Sequence, residues 1–147
     1  MRSPTAALIT LLAAACSEPP DDTPIGREFA ALMARPEQSV PQVKVQHVLV
    51  AFVGAKQGSE SKRDYAGARA KTEQLLQRAR AGEDFGALVK ESDDDPPGTF
   101  TLTQQNRGDY ARYFGDVAFR LAVGEIGVAP FHSSKSPFGF HIIKRLE

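Results

Sequence analysis

The sequence predicts an α+β domain in which helices cover a small, mostly antiparallel sheet. Three observations lead there: a strand-like run at residues 43–53, a block of helical periodicity between residues 61 and 121, and two further strand-like runs before residue 145. Strand, helices and then strands in that order suit helices packed on a sheet better than alternating βαβ units. The outermost strands are the longest and most apolar, which places them side by side at the sheet centre.

Each element has its own residue-level reason. Residues 43–53, VKVQHVLVAFV, are rich in β-branched side chains, and Val43, Val45, His47 and Leu49 fall on one face by the two-residue period of a strand. A polar loop at 54–61 follows. A helix is then expected with Tyr65, Ala68, Thr72, Leu75, Leu76 and Ala79 inward, Ser61 as its cap and Gly82 at its end. A shorter helix opens at Asp84 and carries Phe85, Leu88 and Val89 inward, until the acidic run Glu91-Ser92-Asp93-Asp94-Asp95 stops it. A third helix is expected over 109–121, with Tyr110, Tyr113, Phe114, Val117, Ala118 and Leu121 on one stripe. Late strands are expected at 126–131 and 138–145, with a short one near 99–102.

Ahead of these lies a different composition. Residues 1–16, MRSPTAALITLLAAAC, hold one arginine, an apolar run from Ala6 to Ala15 and then the single cysteine of the chain. This pattern reads as a secretory signal. Its ending at Cys16 resembles a bacterial lipoprotein signal over residues 1–15, with lipid attached to Cys16; an ordinary signal with an incidental cysteine is the alternative. Several acyl chains would hold the protein at a membrane, where one alone is marginal. Ser17 at the following position favours, in lipoproteins, the outer membrane facing the periplasm. Residues 16–42 are proline-rich and acidic and read as a tether, although 25–34 could form one short helix between Pro24 and Pro36. The folded unit is then expected at 43–147.

Composition excludes several classes. The chain has 147 residues, 41% of them hydrophobic, with a formal net charge of zero, which suits one small domain and argues against a nucleic-acid binder. No stretch reaches the roughly 20 apolar residues of a membrane-spanning helix. One cysteine rules out an internal disulfide, so packing must hold the fold. Compact metal-ligand spacing is absent.

Four segments, VQHVLV at 45–50, AGEDFGALVKESDD at 81–94, FGDVAFRLAVGEIG at 114–127 and FGFHIIKRLE at 138–147, resemble the parvulin family of peptidyl-prolyl isomerases in order and spacing. The resemblance covers residues 43–147. It implies a four-stranded, mostly antiparallel sheet surrounded by three to four helices, and isomerisation of X-Pro bonds without metal or cofactor. It also implies proline-containing unfolded or extended polypeptides as partners. By the same resemblance the paired site histidines are His47 and His141, and the acidic site position is Asp94, with Asp95 as a close competitor. Ser136 supports the last histidine, and Leu102, Tyr110 and Phe114 form the proline cup. Arg107-Gly108 match the turn that precedes the cup.

The departures are specific. The family's Gly-Gly-Asp-Leu-Gly turn is Thr99-Phe100-Thr101-Leu102-Thr103 here, and Ala51 stands where phosphate-directed members carry lysine. The first departure leaves a peptide-binding module of weak catalytic power as the alternative to an isomerase; the second argues against phosphoserine-proline specificity. Each residue also has a plainer reading. A strand histidine can be a satisfied core residue, three aspartates can be a solvated turn, and Tyr110 and Phe114 can be core packing.

Overall fold

Strand alternation decides how the layers stack. A computed structural model describes residues 21–56, 60–94 and 98–147; Cys16 and Asp95 lie outside the described residues. β1 (Gln42–Val50) is flanked by β2 (Thr99–Thr103) on one side and by β4 (Phe140–Arg145) on the other, and β3 (Ile126–Ala129) pairs with the outer side of β4. Every pairing is antiparallel, in the order β2-β1-β4-β3. The first and last strands are central neighbours, as their apolar content predicts, and the short strand expected near residue 99 is β2.

The two-residue period divides β1 and β4 between two cores. Val48, Val50, Phe140 and Ile142 belong to one, with Leu75 and Leu76 of α2 (Tyr65–Arg80) and Phe85 and Leu88 of α3 (Phe85–Val89). Val43, Val45 and Ile143 belong to the other, with Leu102 of β2 and Phe114 and Val117 of α4 (Arg112–Ala118). Each residue of the central strands thus serves one layer or the other.

Helix boundaries follow the capping chemistry, with two corrections to the expectations. The cap of α2 is Asp64, whose carboxylate accepts the Gly67 amide at 2.7 Å. The expected cap, Ser61, instead donates its hydroxyl to the Ala51 carbonyl at 3.2 Å. A carboxylate at the positive end of the helix is the better partner for its free amides. The helix expected over 109–121 is interrupted. Arg107–Asp109 form one 3-10 turn, Tyr110 and Ala111 are extended, and only then does α4 begin. Ahead of the 3-10 turn, the Asn106 side chain accepts the Thr103 amide at 2.8 Å and donates to the Thr101 carbonyl at 3.1 Å, folding a tight turn directly after β2.

The tether expected at 16–42 needs correcting where the structure describes it. α1 spans Pro24–Met33, and its Ile25 and Leu32 are buried. Thr23 caps it by accepting the Gly26 amide at 3.1 Å, and Pro24 sits in the first turn, where a missing amide proton is harmless. The prolines therefore bound the helix without preventing it. Ten residues alone would be marginal in water, so docking supplies the stability. Leu32 reaches β3 at Gly127, where an added Cβ would lie 3.1 Å from the leucine tip.

Candidate active site

His47 comes from β1 and His141 from β4, on the face shared with Val45 and Ile143. They are not directly opposed, as the strand pairing first suggests. His47 faces Ile143 and His141 faces Leu49, so the histidines are diagonal neighbours. Diagonal pairs on one sheet face remain within reach of long side chains. The rings stack at 14° with centroids 5.3 Å apart, and the two Nδ1 atoms are 3.1 Å apart.

The acidic run is fastened to the end of β1 one residue at a time. Asp93 donates its amide to the Leu49 carbonyl at 2.9 Å, and its carboxylate accepts the Ala51 amide at 2.8 Å while pairing with Arg63 at 2.6 Å. The Ser92 hydroxyl accepts the Leu49 amide at 2.7 Å and donates to Asp94 Oδ1. Held in this way, Asp94 presents Oδ2 to His47 Nε2 at 2.8 Å. Of the two aspartates that the sequence leaves open, Asp94 is the one described at the site.

These contacts set the protonation states. Burial alone would raise the Asp94 pKa, but the hydrogen bonds from His47 and Ser92 outweigh it and hold the carboxyl below its usual value. Burial, helped by the adjacent His47, pushes His141 down to about 3, so its ring is neutral at ordinary pH. An ionised Asp94 needs the proton on His47 Nε2. With Nε2 turned to Asp94, His47 faces the Nδ1 of His141 with its own Nδ1. The relay ends at His141 Nε2, which is buried and has no hydrogen-bond partner among the described residues.

Ser136 stands apart from this relay. It is fully buried, but its hydroxyl donates to the Gly139 carbonyl at 3.3 Å, and its backbone bridges to His132. The hydroxyl closes the turn that leads into β4, the strand that carries His141. That turn depends on Gly139, which has a φ of +143° and whose added Cβ would lie 2.3 Å from the Val50 carbonyl oxygen.

Above the imidazoles opens a cavity of about 200 Å³. Phe100, Tyr110, Phe114 and Phe138 wall it, and its polar lining is His47, His141, Asp94 and Asp109. The Phe100 and Phe114 rings meet His47 edge-on at 5.0 and 5.1 Å, and Tyr110 stacks on Phe114 at 5.8 Å. Two of the three expected cup residues, Tyr110 and Phe114, are therefore at the cavity. Leu102 is not; it is fully buried opposite Val43, deeper in the core. Phe100, opposite Val45 and nearer His47, takes that place. Sequence reasoning missed Phe100 and Phe138. The alternation in Thr99–Thr103 marks Phe100 and Leu102 as sharing a face, and only the register selects between them. Among the described residues no group of three or more His, Cys, Asp and Glu side chains is placed to hold a metal ion.

With this geometry the comparisons with known proteins agree. The family model described as PPIC-type PPIASE domain matches residues 31–147. The chain belongs to that family, the parvulin-type peptidyl-prolyl isomerases. It is 32% identical over 107 residues to foldase protein PrsA 4 of Bacillus cereus, covering 71% of this chain and 31% of that protein. To foldase protein PrsA of Caldanaerobacter subterraneus it is 38% identical over 80 residues, covering 49% of this chain and 23% of the relative. The chain thus spans about a third or less of the length of these curated relatives. Among solved structures, peptidyl-prolyl isomerase ESS1 from Candida albicans superimposes with a TM-score of 0.61 at 22% identity, covering 84% of this chain and 73% of that one. At that identity the likeness speaks for the fold.

Proposed function

We propose that this chain is a peptidyl-prolyl cis/trans isomerase acting on X-Pro bonds of unfolded or extended polypeptides. The observation that carries the reading is the aromatic cavity whose floor is the hydrogen-bonded series Asp94, His47 and His141. Rotation about X-Pro is slow because amide resonance must be broken, with a barrier of roughly 18–20 kcal/mol. No bond to a nucleophile is needed. A thousandfold acceleration asks for about 4 kcal/mol of preferential binding to the twisted amide. The planar amide carries the larger dipole, so transfer from water into an apolar cavity disfavours it more than the twisted form. Phe100, Tyr110, Phe114 and Phe138 supply that surround and grip the proline ring. The neutral His141 ring and its bond to His47 give the floor a fixed donor and acceptor pattern, and Asp94 fixes its direction. Ser136 holds the turn before β4 and so supports His141 through the backbone.

The same reading places the protein in the bacterial cell envelope, lipid-anchored through Cys16 and facing the periplasm from the outer membrane, with secreted or envelope polypeptides as clients. The signal-like residues 1–15 ending at Cys16 support the anchor, and the likeness to two foldases supports polypeptide clients. Labelling with a radioactive fatty acid should mark the wild type and not Cys16→Ser; equal labelling rejects the anchor.

The decisive assay follows cis-to-trans relaxation of a short X-Pro peptide in the presence of a chain beginning at residue 17. Acceleration that scales with protein concentration is expected. A second reading, a binding module that holds chains without turnover, is favoured by the replaced turn at Thr99–Thr103. Peptide binding without acceleration would establish that reading instead.

A further inference from the structure

The cavity wall contributed by Tyr110 and Phe114 is locally unsupported. Its two pieces, the 3-10 turn at Arg107–Asp109 and the seven-residue α4, are joined by extended backbone, and neither has a side-chain cap. Within the wall, the Arg107–Asp116 ion pair crosses the joint. The other bonds that span it reach in from the segment that follows α1.

Glu37 receives both terminal nitrogens of Arg107, at 2.9 and 2.8 Å, and Arg120 Nη1 at 3.0 Å. Arg107 opens the 3-10 turn, and Arg120 lies just beyond the last residue of α4. One carboxylate thus grips the wall at both ends. Arg107 also crosses the joint to Asp116 at 3.1 Å and lies 4.7 Å over the Phe119 ring. Beside it, Arg35 accepts from Arg120 through its carbonyl at 3.0 Å, and the Gln38 amide donates to the Phe119 carbonyl at 2.9 Å. Bidentate arginine pairs fix direction as well as distance. The Glu37 side chain is 31% exposed, so these bonds are partly shielded from water. Glu37 itself does not line the cavity.

We propose that Glu37 is a positioning residue: acting through Arg107 and Arg120, it sets the angle between the 3-10 turn and α4, and with it the seat offered to the proline ring by Tyr110 and Phe114. The strap of residues 35–38 is then part of the binding apparatus. It hangs from α1, whose first residues precede the family-matched stretch. This inference rests on the proposed site, and it deepens that reading by adding a determinant of substrate affinity outside the cavity.

The test sets Glu37→Gln against Glu28→Gln in the full chain. Glu28 makes a comparable bidentate pair with Arg80, joining α1 to α2 away from the cavity. Glu37→Gln should raise KM for a short X-Pro peptide about tenfold with little change in kcat, because a displaced wall weakens binding geometry. Glu37→Asp should recover part of the loss, and adding Glu37→Gln to a variant carrying both Arg107→Gln and Arg120→Gln should cost nothing further. Glu28→Gln should leave KM at the wild-type value even where it lowers the thermal midpoint equally. Should the wild type lack turnover, the same comparison is read from the peptide dissociation constant, so failure of the isomerase reading is distinguishable from failure of this one. An unchanged affinity in Glu37→Gln, or an equal loss in Glu28→Gln, overturns the proposal.

Discussion

The two faces of the sheet use the same strands for opposite purposes. On the face toward α2 and α3, Val48, Val50, Phe140 and Ile142 meet Leu75, Leu88 and Phe85 in a continuous apolar layer. On the other face, one residue along each strand, stand His47 and His141 beneath an open cavity. The first face closes its space with side chains; the second leaves space and accepts a buried nitrogen without a partner among the described residues. An unpaired buried polar atom costs stability, so the scaffold face must hold the sheet while the site face keeps its cavity. Strand alternation lets one pair of strands do both.

Substitutions on each face should separate the two roles. Leu75→Ala on the scaffold face should lower the unfolding free energy by roughly 3 kcal/mol in denaturant titrations, with the activity of the folded fraction unchanged. A parallel fall in specific activity would break the division of labour. Phe114→Ala on the site face should lower kcat/KM about a hundredfold, nearly 3 kcal/mol of transition-state binding, and reduce turnover more than stability. Unchanged rates would remove the proposed cup.

Smaller effects sharpen the comparison within the site face. Asp94→Ala leaves His47 Nε2 and the Ser92 hydroxyl without their acceptor and should cost about 2 kcal/mol, read from the denaturation midpoint. Acid should weaken the fold through the same group of residues. Unfolded His141 binds a proton near 6.5 and the folded residue only at about 3. Between those values the unfolded state holds more protons, so stability present above pH 6.5 is lost as pH falls, by up to about 1.4 kcal/mol per unit. Asp94, with its folded pKa held below 3.8, adds a loss of the same sign under that pH. A His141→Phe variant should show a flatter profile over pH 3–6.5; an identical one would detach the slope from this residue. Ser136→Ala should have the smallest effect, about 1 kcal/mol or less in stability, with the rate preserved.

Much of this division was legible in the sequence. Period-two alternation assigns Val43, Val45 and His47 to one face, and the apolar content of the outermost strands makes them neighbours. Register is a different matter. Alternation is silent on a shift of two residues, which is why the histidines are diagonal and Phe100 replaces Leu102 at the cavity. α1 reads as a tether because prolines bound it, yet its Leu32 packs at Gly127, almost a hundred residues away, which local pattern does not reveal. The break before α4 lies at Tyr110 and Ala111, whose apolar side chains fit the helical period that their backbone abandons.

The Nδ1 atoms that meet at the cavity floor belong to residues 94 positions apart. A growing chain carries the first imidazole long before its mate has been synthesised, and no local hairpin brings the two together. The floor of the proposed site therefore forms late and all at once, when β4 slots beside β1. A shortened or nicked product lacking that strand would lose the floor and the middle of the sheet in a single stroke, so partial copies would be inert and open to degradation.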